Sequence, residues 1–280
     1  MTSIFDFSYI HNFEYISALN LFLFSLALLS IGSFTSTIIF RLSNNVSDQK
    51  FFLTRSLCRN CNQRIKYLHL IPIFGFLIQR GKCSACNKNI SLFYPATEII
   101  FLLFGLTIAY IYGFNVYTFF IFLIFFLFYI LFFLDLKFYY LPLFVNLLLI
   151  LCGFIANTFF NIFVTDVAKF FSLSSFMFSF YGFVIGYFSL WLINFIFKLL
   201  YKIDGIGGGD FILFGAMGSL FGPFSLSLIL FFAAIFGSLI FIIFKQRYQN
   251  KIPLGSCLII GSILYFLVKN FELLDNFLVI

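Results

Sequence analysis

Charge is scarce in this chain. Only 10% of its 280 residues are Asp, Glu, Lys or Arg, where a soluble domain carries roughly a quarter. That shortage excludes an ordinary soluble enzyme or binding module. With 62% of residues hydrophobic, the chain reads as a polytopic membrane protein whose interior is helix packing and lipid. Histidine is almost missing as well: His11 and His69 are the only two. Both read as structural or solvated groups, and neither is required as a metal ligand. The first apolar run is too long for the h-region of a signal peptide and lacks a small-residue cleavage site, so no separate signal peptide is expected. The basic residues are not interleaved with aromatics, so nucleic acid is not expected as a partner. The single Trp191 lies in an apolar run and carries no signal. The 50 phenylalanines reflect an AT-rich coding sequence as much as a physical need.

What the chain has is long apolar runs. A membrane-spanning helix needs about 20 apolar residues. Eight runs are read at 16–40, 94–112, 116–134, 142–163, 176–198, 209–222, 224–244 and 253–269. The sixth is short and rich in glycine, and only Gly222-Pro223 separates it from the seventh. The expected fold is therefore all-α and polytopic, with about eight transmembrane helices and one small cytoplasmic loop domain. Lys and Arg set the orientation. Nine of the 17 lie between Arg41 and Lys88, against one acid, Asp48. Lys137, Lys198, Lys202, Lys245, Arg247 and Lys251 fall on the same side, which leaves Lys169 and Lys269 opposite. The basic side is then cytoplasmic and both termini lie outside. Asp135, Asp204 and Asp210 share the cytoplasmic face, and Glu98 lies near the cytoplasmic end of the second span. The basic loop can also rest on anionic lipid headgroups.

Four of the six cysteines form a pattern. Cys58-x-x-Cys61 and Cys83-x-x-Cys86 are separated by 21 residues within the one substantial polar loop. Two such knuckles read as a tetrahedral Cys₄ zinc site. Arg59, Arg64, Lys82 and Lys88 would favour the thiolates a metal needs. The competing readings are two disulfides or four free thiols, and a cytoplasmic loop disfavours disulfides. Cys152 and Cys257 lie in apolar runs and read as packing residues.

Two acids stand at the same expected depth, Asp135 at the end of the third span and Asp210 at the start of the sixth. An ionisable residue at membrane depth is costly, and is a functional-site hypothesis by default. Two carboxyls held together share one proton. One can then activate water while the other donates to a carbonyl oxygen, the chemistry of an aspartic peptidase. Gly205-Ile206-Gly207-Gly208-Gly209 before Asp210 frees the backbone for unusual φ and ψ, and leaves room for another chain. Other readings stay open: an Asp135–Lys137 ion pair at the boundary, a helix N-cap role for Asp210, or a proton relay in a transporter.

Five motifs follow one another along the chain: Gly32-Ser33-Phe34 with Arg41-Leu42; Cys58 through Ile71-Pro72, Arg80-Gly81-Lys82-Cys83 and Cys86 to Tyr94-Pro95 and Glu98; Asp135 with Leu141-Pro142; Gly205-x-Gly207-x-Gly209-Asp210; and Pro253-Leu254-Gly255. In this order they resemble the type IV prepilin peptidases, the bifunctional leader peptidase/N-methyltransferases. The resemblance runs nearly end to end. It implies a membrane aspartic endopeptidase with Asp135 and Asp210 as the catalytic pair. It also implies cleavage of the basic leader of prepilins or pseudopilins at the cytoplasmic face of the bacterial inner membrane. Methylation of the new amino terminus, with S-adenosylmethionine as donor, would follow. The implied division is 1–40 for the tail and first helix, 41–93 for a methyltransferase-associated Cys₄ domain, and 94–280 for a seven-helix peptidase domain. The chain departs from the family pattern at Leu143, Ile212, Ser36, Leu70 and Ser43, mostly near the part associated with methyl transfer. A peptidase without methylation, a proton-relay transporter and a non-catalytic zinc scaffold are the alternatives.

Overall fold

The computed structural model describes residues 18–43, 56–165, 172–244 and 252–270. Expectations about the chain ends, His11, Asp48, Lys169 and the basic loop after residue 244 lie outside the described residues. Among those residues the chain is helical, with two isolated antiparallel bridges and no named strand. Nine α-helices follow in order: α1 Ala18–Ser43, α2 Phe74–Ile78, α3 Phe93–Tyr112, α4 Val116–Phe138, α5 Leu143–Phe160, α6 Ser175–Tyr201, α7 Gly208–Phe221, α8 Leu226–Phe244 and α9 Leu254–Asn270. Six are long and apolar enough to cross a membrane: α1, α3, α4, α5, α6 and α8 with the turn before it. The shorter apolar helices α7 and α9 match the sixth and eighth expected runs. The 14 residues of α7 rise roughly 21 Å, less than the ~30 Å hydrocarbon core.

The chain forms two compact units, 1–122 and 123–280, with the boundary inside α4. In the first unit α1 packs along α3. Gly32 makes that approach possible, because a Cβ there would lie 2.8 Å from Glu98 Cα. Gly105 on α3 receives the Leu28 side chain in the same way. Leu28 and Phe101 are the buried centre of this pair. Between the two helices the chain makes the cysteine turns, a short 3₁₀ turn Tyr67–Leu70, and α2.

In the second unit α7 is the core. Ten of its 14 residues are buried, which suits a helix that is apolar on every side. It packs on α6, α5 and α9. Small residues set the spacing, as in membrane bundles generally. Gly182 on α6 faces Gly218 on α7 with backbones in contact, and Gly153 on α5 receives Ser219. A buried amide ties the far end. Asn157 Nδ2 lies 3.0 Å from Ser219 O, 2.9 Å from Leu220 O and 3.0 Å from Ser179 Oγ, and Asn157 Oδ1 accepts the Phe163 N–H at 3.0 Å. Two of the carbonyls at the end of α7, which lack intrahelical donors, thereby gain a partner. Gly222 then turns the chain at φ 81° into Pro223, a conformation that favours glycine.

Candidate active site and cysteine cluster

Asp135 stands in the last turn of α4 and is 5% exposed. It is held by α9: Ser256 donates to Asp135 Oδ2 twice, from its backbone N–H at 2.5 Å and from its hydroxyl at 2.9 Å. The same hydroxyl lies 3.1 Å from Phe132 O. The contact requires Gly255, where a Cβ would sit 3.1 Å from Asp135 Cγ and 2.9 Å from Leu141 Cδ1. Lys137 places its Nζ over the Phe133 ring, 5.5 Å from the centroid.

Asp210 lies in the first turn of α7, three residues after the N-cap Gly207. A carboxylate there is favoured by the helix dipole. Gly207, Gly209 and Gly205 serve this turn through space rather than through backbone freedom, since none has a positive φ. A Cβ at Gly209 would lie 2.9 Å from Leu141 Cβ, and one at Gly205 would lie 2.8 Å from the Phe197 ring. A Cβ at Gly207 would lie 3.2 Å from Asp210 Oδ2, whereas Gly208 faces open space. Asn194 on α6 pins the run by accepting the N–H groups of Gly205 at 2.8 Å and Ile206 at 3.0 Å. Asn194 Nδ2 also donates to Asp204, which pairs with Lys198 at 3.0 Å. Those two partners, Lys198 first, hold the Asp204 carboxyl below its ordinary range.

The two acids meet around Leu141. Its side chain fills the space between Gly209, next to Asp210, and Gly255, next to Asp135. Asp210 Oδ1 is buried without a hydrogen-bond donor, as is Asn146 Oδ1 in the first turn of α5. Asn146 Nδ2 reaches toward Gly209 O at 3.5 Å. Two unpaired acceptors beside a carboxyl pair make a site able to take a donor from water or from a peptide. Sequence reasoning found both acids but missed Ser256 and Asn146. Gly255 was visible only as part of a motif. Nothing in a lone Ser or Asn at a helix start marks it as a partner of a distant carboxylate.

The four cysteines of the loop converge. Their sulfurs all lie within 4.8 Å of one another, and Cys58 Sγ is 3.9 Å from Cys86 Sγ. Tetrahedral Zn–S bonds of about 2.3 Å give sulfur edges of about 3.8 Å, so the residues fit such an ion. The two halves repeat each other. Cys58 N–H bonds to Gln63 O and Asn62 N–H to Cys58 O; Cys83 N–H bonds to Lys88 O and Asn87 N–H to Cys83 O, all at 2.9 Å. Asn62 and Asn87 both take φ 55°, a region asparagine tolerates. Backbone N–H groups aimed at the sulfurs, from Cys61 and Asn60 at Cys58 and from Lys88 at Cys86, hold those two thiols below the ordinary value. Among the described residues no histidine joins the cluster: His69 Nδ1 is buried without a partner. Cys152 on α5 and Cys257 on α9 are free thiols, and Cys257 is buried as a packing residue would be.

Residues 26–112 match the model of the bacterial peptidase A24 N-terminal domain, and residues 120–242 match the type IV leader peptidase family. Among curated proteins, the prepilin leader peptidase/N-methyltransferase of Vibrio cholerae serotype O1 is 30% identical, over 88% of this chain and 96% of the relative. The protein of that name from Legionella pneumophila is 31% identical, over 90% and 92%. No solved structure matches. The apolar helices and these relatives make it a bacterial inner-membrane protein. With relatives of this identity along most of both chains, and family models over both units, the chain belongs to the type IV leader peptidase family.

Proposed function

We propose that the chain is a membrane aspartic endopeptidase that removes the basic leader of type IV prepilins or pseudopilins and then N-methylates the new first residue. The reading rests on the arrival of Asp135 and Asp210 from α4 and α7 on either side of the Leu141 side chain, in a chain similar to proteins named prepilin leader peptidase/N-methyltransferase. Asp135 and Asp210 are the catalytic pair. They share one proton, as two neighbouring carboxyls do. The ionised member takes a proton from water as the oxygen attacks the scissile carbonyl. The protonated member passes its proton to the carbonyl oxygen. Ser256 occupies one oxygen of Asp135 and so leaves the other for the reaction. Gly208, with open space at its Cα, is where a substrate strand can approach the pair.

The distribution of Lys and Arg supports a cytoplasmic position for this site and for the cysteine loop, with periplasmic termini. The prepilin would present its leader there while its apolar segment stays in the bilayer. Cys58, Cys61, Cys83 and Cys86 would hold one zinc ion that cross-links the two cysteine turns, a structural role. S-adenosylmethionine would supply the methyl group, with 41–93 serving methylation and 94–280 cleavage. Asp135→Asn and Asp210→Asn, tested separately on a prepilin in membranes, should each abolish cleavage. Normal processing by either variant would refute the pair. Mass spectrometry of the mature pilin amino terminus reads cleavage and methylation together, and a trimmed but unmethylated product would leave a peptidase alone.

A further inference from the structure

The first unit contains a cavity that cleavage does not use. It measures about 300 Å³ and is walled by α1, the cysteine turns and the start of α3. That volume is at the lower end of the range for small-molecule sites. Glu98 lines it although only 6% exposed. A buried acid costs free energy unless it is held, and this one is: Oε2 accepts the Ile73 N–H at 2.7 Å. Ile73 makes its bond from φ 60°, ψ −54°. A β-branched residue at positive φ is an outlier that persists only where the surroundings impose it, commonly at ligand sites. Arg59 lines the same cavity. Its guanidinium lies over the rings of Phe40, at 3.7 Å, and Tyr94, at 4.9 Å. Among the described residues no carboxylate pairs with it. His69, also on the wall, keeps Nδ1 buried and unpartnered.

One fixed acid, one stacked cation and aromatic walls suit a ligand that carries both charges on a partly flat body. We infer that this cavity binds S-adenosylmethionine, with Arg59 holding its carboxylate, and that Glu98 takes the proton released on methylation. This rests on the methylation reading above. The amine nitrogen of the new amino terminus attacks the methyl carbon. The carbon–sulfur bond breaks, and its electron pair stays on sulfur, which becomes a neutral thioether. The proton lost by the amine passes to the Glu98 carboxylate and then to water.

The test is ultraviolet photolabelling of the full-length protein in nanodiscs with methyl-tritiated S-adenosylmethionine, followed by peptide mapping. The label is expected within residues 56–98. Arg59→Ala should lower labelling about tenfold at unchanged zinc content. If that variant loses zinc, Thr37→Trp, which fills the cavity from α1, replaces it. Labelling confined to 123–280, or undiminished in these variants, overturns the cavity and leaves the methylation reading standing. A parent protein that takes no label and yields no methylated pilin overturns both. Glu98→Gln should keep the label yet lose N-methylated product, with partial recovery in Glu98→Asp. Methylation by Glu98→Gln at the parental rate overturns the role of Glu98.

Discussion

At the scale of the residue, the site is a matter of which carboxylate oxygen is engaged. Ser256→Ala keeps the backbone N–H on Asp135 but removes the hydroxyl. A hydrogen bond to a charged group contributes about 1.5–3 kcal/mol, so initial rates of prepilin cleavage should fall by roughly tenfold to a hundredfold. Ser256→Thr, which restores a hydroxyl, should recover most of that rate. Glycine positions make a second residue-scale prediction. Gly209→Ala drives a methyl into Leu141 and should nearly abolish cleavage, because it separates the elements that carry the two acids. Gly208→Ala meets nothing in the protein. It should fold and keep its zinc, and any rise in KM for the prepilin would report the substrate at that face. Equal activity of the two variants would contradict this account of the turn.

At the scale of the element, α7 explains both what the sequence announced and what it hid. Its position and length were legible from the apolar run after Gly209. Asp210 was legible because an acid at the head of such a run is expensive. The centrality of α7 was not, since an apolar run looks the same facing lipid or facing protein. Only the pairing of Gly182 with Gly218 and of Gly153 with Ser219 makes it the core, and small residues in a membrane helix do not name their partners. The cysteine cluster was fully legible, because two knuckles at that spacing leave a metal little alternative. Asn157 was silent in the sequence for the opposite reason: one buried amide has no pattern. It joins α5, α6 and the end of α7. Asn157→Leu leaves two carbonyls and the Phe163 N–H without a partner, at about 1–3 kcal/mol each before relaxation. Thermal unfolding in detergent should shift downward by several degrees, and an unchanged midpoint would show that those groups find other partners.

At the scale of the whole molecule, each unit has its own way of staying closed. The first has a small core between α1 and α3 and relies on the cysteine cluster. Purified without chelator, the protein should carry close to one zinc per chain, read by elemental analysis. Removing the metal with a strong chelator, or replacing Cys83 by Ser, should expose the 56–90 loop to protease; protection that survives complete metal loss would refute a structural ion. The second unit closes through its last described helix, because the groups that hold Asp135 arrive from Ser256 on α9. That has a consequence for the order of synthesis. Asp135 and Asp210 are both made and inserted before the residue that fixes the first of them leaves the ribosome. On the proposed function, the nascent chain would therefore be unable to cut until the helix that carries Ser256 is made and inserted. A chain ended before residue 253 should accumulate in the membrane and leave prepilin intact.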